Sequence, residues 1–444
     1  MWNQQAECLA RRDLVELQLA RLRDLLSYLS DHVPFYRCAL ERAQAAPASI
    51  RTLDDVARLP FTTKSDLRDH YPFDLFAAPL DAIVRIHASS GTTGKPTVVG
   101  YTRGDMEVWA ELMARTLSAA GVTSADVVHN AYGYGLFTGG LGIGLGAETI
   151  GAAVVPASSG FTKRHLMLME DFGATVLGCT PSYGLVLADM ARELNIDVHA
   201  RLKLRVGLMG AEPSSEALRA KVESQLGLEV FDIYGLSEII GPGVAVECAE
   251  HDGLHLFEDH FLAEIIDPET GDPLPDGCDG ELVLTTLTKT GIPLLRYRTR
   301  DRTRLATEPC ACGRRLARMT KVHGRTDDML IVRGVNVFPS QIEEALVKLE
   351  GLAPHYVILV DRRADQLDGL DIQVEAKAEI YGRGATAVDD LRRLAQTELH
   401  QSLGLRAGVE VVAPGQLDRC EGKAVRVKDH RTEAMPATAQ RVPK

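Results

Sequence analysis

Residues 87–100 read HASSGTTGKPTVVG. Two serines, two threonines, two glycines and a lysine follow one another without a break: Ser89, Ser90, Gly91, Thr92, Thr93, Gly94 and Lys95. Flexible positions of this kind turn backbone N–H groups toward one anion, while the hydroxyls and the ammonium add donors. The alternative is a plain surface turn, which has no use for so many donors. A Walker A loop is a poor match. It needs G-x-x-x-x-G-K-[ST], whereas Gly91 and Gly94 are two residues too close and Pro96 stands where the magnesium-binding hydroxyl belongs. The following TVVGYT reads as a strand, and a Walker loop feeds a helix. Phosphate binding survives; the P-loop does not. Another glycine-rich segment, GIGLGA at 142–147, matches G-x-G-x-x-A. No clear strand leads into it, so it reads as close helix packing rather than a dinucleotide site.

Two further groups carry chemistry. Cys310 and Cys312 form C-x-C-G, with Cys248, His251 and His255 upstream. Three thiolates and one imidazole make a closed tetrahedral zinc site. His255, in the strand-like GLHLFED, is the expected fourth ligand over His251. The metal would pin a β-rich segment and take no part in catalysis; reduced thiols are the alternative. AYGYGLF at 131–137 places Tyr132, Tyr134 and Phe137 around Gly135. Aromatic walls with close backbone suit a flat aryl group, although each ring could equally be core.

The elements that must position these groups are legible. The chain has 444 residues, 45 % hydrophobic and 25 % charged, which calls for two or more domains of ordinary globular composition. The net charge of -12 disfavours nucleic acid. The charged start lacks a signal-peptide core, and the uncharged stretch 129–147 holds seven glycines, too many for a membrane span. Eight cysteines without an export signal suggest reduced thiols in the cytoplasm. Residues 9–30 pattern as an amphipathic helix, with Leu22, Leu25, Leu26 and Leu29 on one face. From 80 to 235, strands such as AIVRIHAS, ATVLGCT and LEVFDIYG alternate with helices such as DMEVWAELMARTLSAAG and SSEALRAKVESQLG. That alternation predicts α/β layers with mostly parallel strands. Residues 261–306 are β-rich. After 325 comes a small α+β unit, in which PSQIEEALVKLEG is expected to open on a capping box of Ser340 with Glu343.

The loop heads an ordered series: DIYGLSE at 232–238, YRTRD at 297–301, GRTDD at 324–328 and EGKAVR at 421–426. The series resembles the adenylate-forming superfamily, and more closely the phenylacetate-CoA ligase-like aryl-acid:CoA ligases. The likeness runs from about residue 30 to 430. It implies an α/β fold with a large multi-subdomain N-terminal adenylation domain of mixed sheets, residues 1–325, binding ATP and the aryl acid. A small α+β C-terminal domain, 326–444, would be mobile and carry the catalytic lysine.

In such enzymes a carboxylate attacks the α-phosphate of ATP, pyrophosphate leaves, and the CoA thiol then displaces AMP. By resemblance, residues 89–95 wrap the departing phosphates and Glu238 binds magnesium, with the Ser237 hydroxyl beside it. Gly210, Ala211, Glu212 and Pro213 border the adenine. Asp232, Tyr234 and Gly235 belong to the same ATP site, with Tyr234 stacking on the base. Asp301 accepts the ribose hydroxyls, unless it is merely paired with Arg298 or Arg300. Arg325 reaches the ribose or phosphate, and Asp327 is the hinge. Lys423 holds the carboxylate and α-phosphate together as negative charge builds.

SSGF at 158–161 departs from the Gly-Gly-Gln-like stretch of phenylacetate ligases. Phe161 could therefore shorten the acid pocket toward a benzoate or anthranilate type of acid. The resemblance further implies CoA as co-substrate and a homodimer; the charge and the lack of an apolar span argue against nucleic acid and membrane as partners. Three alternatives remain: transfer of the acyl group to a carrier-protein thiol, a non-catalytic nucleotide-binding regulator, and a dehydrogenase resting on GIGLGA alone.

Overall fold

The computed structural model describes residues 1–89, 95–212, 214–326, 330–333, 335–362, 368–417 and 426–431. The chain divides into two compact units. One is Met1–Pro213 with Arg219–Thr326; the other is Ser214–Leu218 with Asp327–Lys444.

The larger unit is mixed α/β. Its strands are β1 (Ile83–Ala88), β2 (Val98–Thr102), β3 (Val127–Asn130), β4 (Ala153–Val155), β5 (Val176–Cys179), β6 (Val206–Gly210), β7 (Glu229–Leu236), β8 (Gly241–Glu247), β9 (Leu254–Leu256), β10 (Phe261–Ile266), β11 (Gly280–Thr286), β12 (Tyr297–Thr303), β13 (Leu305–Ala306), β14 (Arg318–Met319) and β15 (Gly324–Arg325). Nine of them form one sheet in the order β13-β14-β9-β8-β7-β6-β5-β3-β4. From β4 to β7 the neighbours are parallel; from β7 onward they are antiparallel. β5 and β6 are buried along their whole length, as strands covered by helices on both faces must be. β10-β11-β12-β15 make a second, antiparallel sheet.

The strand expected at AIVRIHAS does not join the parallel sheet. It pairs antiparallel with β2, the next strand in the chain, in a separate two-stranded sheet.

Helix Arg103–Ala119 starts at a reciprocal cap. The Thr102 hydroxyl accepts from the Asp105 amide, and the Asp105 carboxylate accepts from the Thr102 amide. It ends ahead of Gly121, whose φ of +76° few other residues tolerate. Against it lies helix Gly139–Ile150, which contains GIGLGA. A Cβ at Gly146 would lie 2.6 Å from Met113 Cβ, and one at Gly142 2.8 Å from Trp109 Cζ2. These glycines serve helix–helix approach, and nothing else remains of the dehydrogenase pattern. Leu22, Leu25, Leu26 and Leu29 are buried along helix Arg11–His32. No described helix is long and apolar enough to cross a membrane.

The smaller unit has a four-stranded sheet in the order Gly408–Val412, Asp368–Ala376, Leu352–Arg362, Val427–Asp429. Its central pair is antiparallel and its outer pairs are parallel. Helices Pro339–Val347 and Ala385–Leu403 share its apolar core. The expected Ser340/Glu343 capping box is not the one that forms. The helix starts earlier, with Pro339 in its first turn, where its missing N–H costs nothing. Gln341 then reaches back to accept from the Phe338 amide at 3.0 Å.

Candidate active site

Strands β3, β5, β6 and β7 run in one direction, so their carboxyl ends share one edge of the sheet. In open α/β sheets ligands bind outside that edge. The loops emerging there carry Ala131–Phe137, Thr180, Ala211–Glu212 and Ser237–Glu238. Tyr132 ties two of them together: its hydroxyl donates to Leu208 O and Gly210 O at 3.4 and 3.5 Å. Gly210 abuts β7 so closely that a Cβ would lie 2.2 Å from Ile233 O. Ala211 then takes a left-handed φ of 71°, a strained conformation of the kind found at functional sites. Glu212 Oε1 accepts from the Ser182 amide at 2.6 Å.

Glu238 is buried just beyond β7. The neck of the Gly/Ser/Thr loop reaches it. Ser89 donates its amide to Thr97 O at 2.9 Å, and their hydroxyls are hydrogen-bonded. Thr97 Oγ1 lies 3.3 Å from Glu238 Oε1. Lys64, at the start of helix Lys64–Asp69, has Nζ 4.0 Å from the same oxygen. Lys289, buried behind the turn, donates to Glu238 O and Ile239 O at 3.2 and 2.7 Å and sits 4.8 Å over the Tyr101 ring. Its burial lowers its pKa to about 8. Ser237 Oγ is 3.3 Å from Thr138 Oγ1. Gly235 is confined by the neighbouring strand, where a Cβ would meet Gly241 O at 1.9 Å. Lys95 is exposed, 5.2 Å over the Tyr71 ring. Glu238, a buried carboxylate amid hydroxyls, has the oxygen chemistry that a hard divalent cation prefers.

A second cluster forms where β12 meets β15. Asp301 accepts from the Tyr234 hydroxyl at 2.6 Å and from Arg325 Nη1 at 3.0 Å. The alternative pairing with Arg298 or Arg300 does not form. Both arginines turn to the buried Glu281, at 2.6 and 3.5 Å. Burial and the adjacent Asp301 carboxylate push the Tyr234 pKa well above its ordinary value, so the phenol stays a donor. Asp232 lies deeper. Its carboxylate is 2.9 Å from Lys321 Nζ, within a network that includes Glu247 and Arg219.

The aromatic segment is heterogeneous. Tyr132 is buried against Gly139, and Tyr134 accepts from Asn130 Nδ2 at 2.8 Å. Beside Gly135 there is room for a side chain, since a Cβ there meets nothing within 4 Å. Phe137 is exposed. Phe161 is 82 % exposed. It precedes helix Thr162–Asp171 in a left-handed conformation that points the ring into solvent.

Cys248, His255, Cys310 and Cys312 meet in one cluster, with all four ligand atoms within 4.8 Å of one another. Cys248 Sγ is 3.8 Å from Cys310 Sγ. His255 Nε2 is 3.4 Å from Cys248 Sγ and 3.5 Å from Cys312 Sγ. A zinc tetrahedron with ordinary Zn–S and Zn–N bonds has edges of about 3.8 Å between sulfurs and about 3.5 Å from sulfur to nitrogen. The donor set fits that metal. His251 faces away, toward Glu229 and Glu247. Burial, with Arg314 and Arg318 nearby, lowers the His255 pKa to about 4, leaving the neutral imidazole that a ligand must be.

Ser90, Gly91, Thr92, Thr93, Gly94, Pro213, Asp327 and Lys423 lie outside the described residues. Sequence reasoning missed Thr97, Lys64 and Lys289. The only signal for Thr97 was its place at the loop's exit. The other two lysines sit in FTTKSD and LTTLTKTG, with no motif to mark them.

The chain matches the AMP-binding enzyme family over residues 22–288 and the AMP-binding enzyme C-terminal domain over 334–431. It is 48 % identical to a phenylacetate-coenzyme A ligase of Thermus thermophilus, spanning 97 % of this chain and all of that one. It is also 48 % identical to a phenylacetate-coenzyme A ligase of Escherichia coli, over 94 % and 95 %. Its structure is similar to that of a 2-hydroxyisobutyryl-CoA ligase in the postadenylation state bound to an acyl-AMP. The TM-score is 0.90 at 29 % identity, covering 97 % of this chain and 92 % of the other. The chain therefore belongs to the AMP-binding enzyme family and, within it, to the phenylacetate-CoA ligase-like group: it is an AMP-forming acid–CoA ligase.

Proposed function

We propose that this enzyme couples an aryl acetic or aryl carboxylic acid to CoA through an aryl-adenylate. The observation that carries the proposal is the meeting of two clusters at the edge of one sheet strand. Both ends of the YGLSE turn are engaged, Tyr234 with Asp301 and Arg325, and Glu238 with Thr97 and Lys64. Asp301 and Arg325 would hold the ribose. Residues 89–95 would gather the departing pyrophosphate. Glu238 would hold a magnesium ion, which when bound neutralises charge on the phosphates.

In the first step the carboxylate oxygen attacks the α-phosphorus, an O–P bond forms, and pyrophosphate leaves. In the second, the CoA sulfur adds to the acyl carbon and the C–O bond to AMP breaks. Lys423, on the unit that begins after Thr326, would stabilise the first step and swing away about Asp327 for the second.

Tyr132, Tyr134 and the open face of Gly135 would receive the ring. Phenylacetate, the acid named for the relatives, leads the candidate acids. Benzoate and anthranilate follow. Zinc bound by Cys248, His255, Cys310 and Cys312 would staple the loop between β13 and β14 to β8 and β9. The enzyme is proposed to work in the cytoplasm as a homodimer.

The test separates the half-reactions. Lys423→Ala should lower acid-dependent pyrophosphate exchange by about a hundredfold or more and spare thioester formation from supplied acyl-adenylate. Equal loss of both halves would overturn the assignment.

A further inference from the structure

Two histidines that take no part in the chemistry above form a buried line to the acid pocket. His129 lies on β3, whose end leads into residues 131–137. Its Nε2 is 2.8 Å from His165 Nδ1, and His165 Nε2 is 2.7 Å from Gly160 O. A carbonyl can only accept, so His165 carries its proton on Nε2 and accepts on Nδ1. His129 must then donate from Nε2. His129 Nδ1 is buried with no partner among the described residues. Both rings are buried, and the directions of both hydrogen bonds are fixed.

The line ends on an unusual turn. Ser158, Gly160 and Phe161 have φ of 64°, 87° and 51°. Two of the three are not glycine, and a left-handed residue of that kind is strained and persists only where its surroundings over-determine it. The surroundings do. The Ser158 amide donates to Asn130 O at 3.1 Å, the Tyr134 amide reaches Ser158 Oγ at 3.4 Å, and Tyr183 Oη approaches Gly160 O at 3.4 Å. Ser159 Oγ faces Gly133, 3.6 Å from where a Cβ would be. The turn is thus a wall laid against the segment 130–135, and the histidine pair joins that wall to the strand supporting the segment.

We infer that His129 and His165 are positioning residues for acid selectivity, holding the turn 158–161 as one wall of the acid pocket. This inference rests on the placement of the aryl acid at residues 132–135. Neither ring touches the nucleotide cluster, so their effect should fall on the acid alone.

The experiment is pyrophosphate exchange with the full chain and phenylacetate, benzoate and anthranilate as probes. His165→Ala should raise KM for the preferred acid by about tenfold and reorder the panel, with KM for ATP unchanged. His165→Gln, which keeps the donor to Gly160 O, should restore most of the loss. If His165→Ala does not fold, His129→Phe serves instead: it removes the second donor and should shift acid selectivity in the same direction. Gly135→Leu separates two kinds of failure. If it raises the acid KM while the histidine variants leave the panel order unchanged, the histidine inference is overturned and the pocket stands. If none of the variants changes the acid KM, the pocket placement falls and the inference with it. Parallel shifts in acid and ATP KM would also overturn it.

Discussion

Replacing Cys310 by Ser tests the metal staple. Three of the six edges, at 3.8, 3.4 and 3.5 Å, match a zinc tetrahedron to within about 0.1 Å, and all four ligand atoms already lie within 4.8 Å of one another, so the folded unit is close to the geometry that binds. Most of the binding energy then appears as stabilisation of the native state. Metal held at a hundred to a thousand times its Kd adds about 3–4 kcal/mol. In a unit of several hundred residues that corresponds to a Tm change of about 5 °C. The stapled loop also anchors the N-terminal segment. Arg314 is ion-paired with the buried Glu7 at 2.5 Å, and its Nη1 reaches Cys312 Sγ at 3.5 Å. The expected results are one zinc per chain in freshly purified protein, loss of that zinc and of those degrees in Cys310→Ser, and an unchanged KM for ATP. Protein purified without a chelator that holds no zinc, with a variant that melts like the parent, would refute the reasoning.

Asp301→Asn should raise KM for ATP by about tenfold to a hundredfold, the loss expected when charge-assisted hydrogen bonds to the ribose are weakened. The KM for the acid should hold; equal shifts in both would remove Asp301 from the nucleotide site. Stability should fall on acidification because of His129. Burial, and then its neighbour His165, lower its pKa from 6.5 to about 4. Between those values the unfolded chain binds a proton that the native chain refuses, so the native state loses up to about 1.4 kcal/mol per pH unit as pH falls through that window. Urea titrations at stepped pH should show this slope shrink in His129→Phe, and an unchanged slope would count against it.

How far the sequence could be read differs from residue to residue. Leu22, Leu25, Leu26 and Leu29 were legible because helical periodicity is local. So was the sense of GIGLGA, since crowded small residues without a preceding strand pack helices. The Ser340 cap misled because two overlapping start signals competed. Pro339, with its fixed φ and absent N–H, moved the start earlier, and Gln341 took the reciprocal role. Thr97 and Glu238 are 141 positions apart in sequence, and no local pattern announces such a contact. His129 precedes Asn130 at a strand end and His165 follows Lys163 and Arg164, so neither is marked by its local sequence; only the fold sets them ring to ring. The exposure of Phe161 was equally hidden, because it goes with a left-handed turn that no local pattern announced.

The most direct measurement is acid-dependent exchange of pyrophosphate into ATP by the purified chain, followed by addition of CoA. Exchange that requires phenylacetate or a close aryl acid, and CoA-dependent release of AMP with one thioester formed per AMP, are the predicted results. ATP binding without acid-dependent exchange, or exchange with AMP release driven only by a carrier-protein thiol, would contradict it.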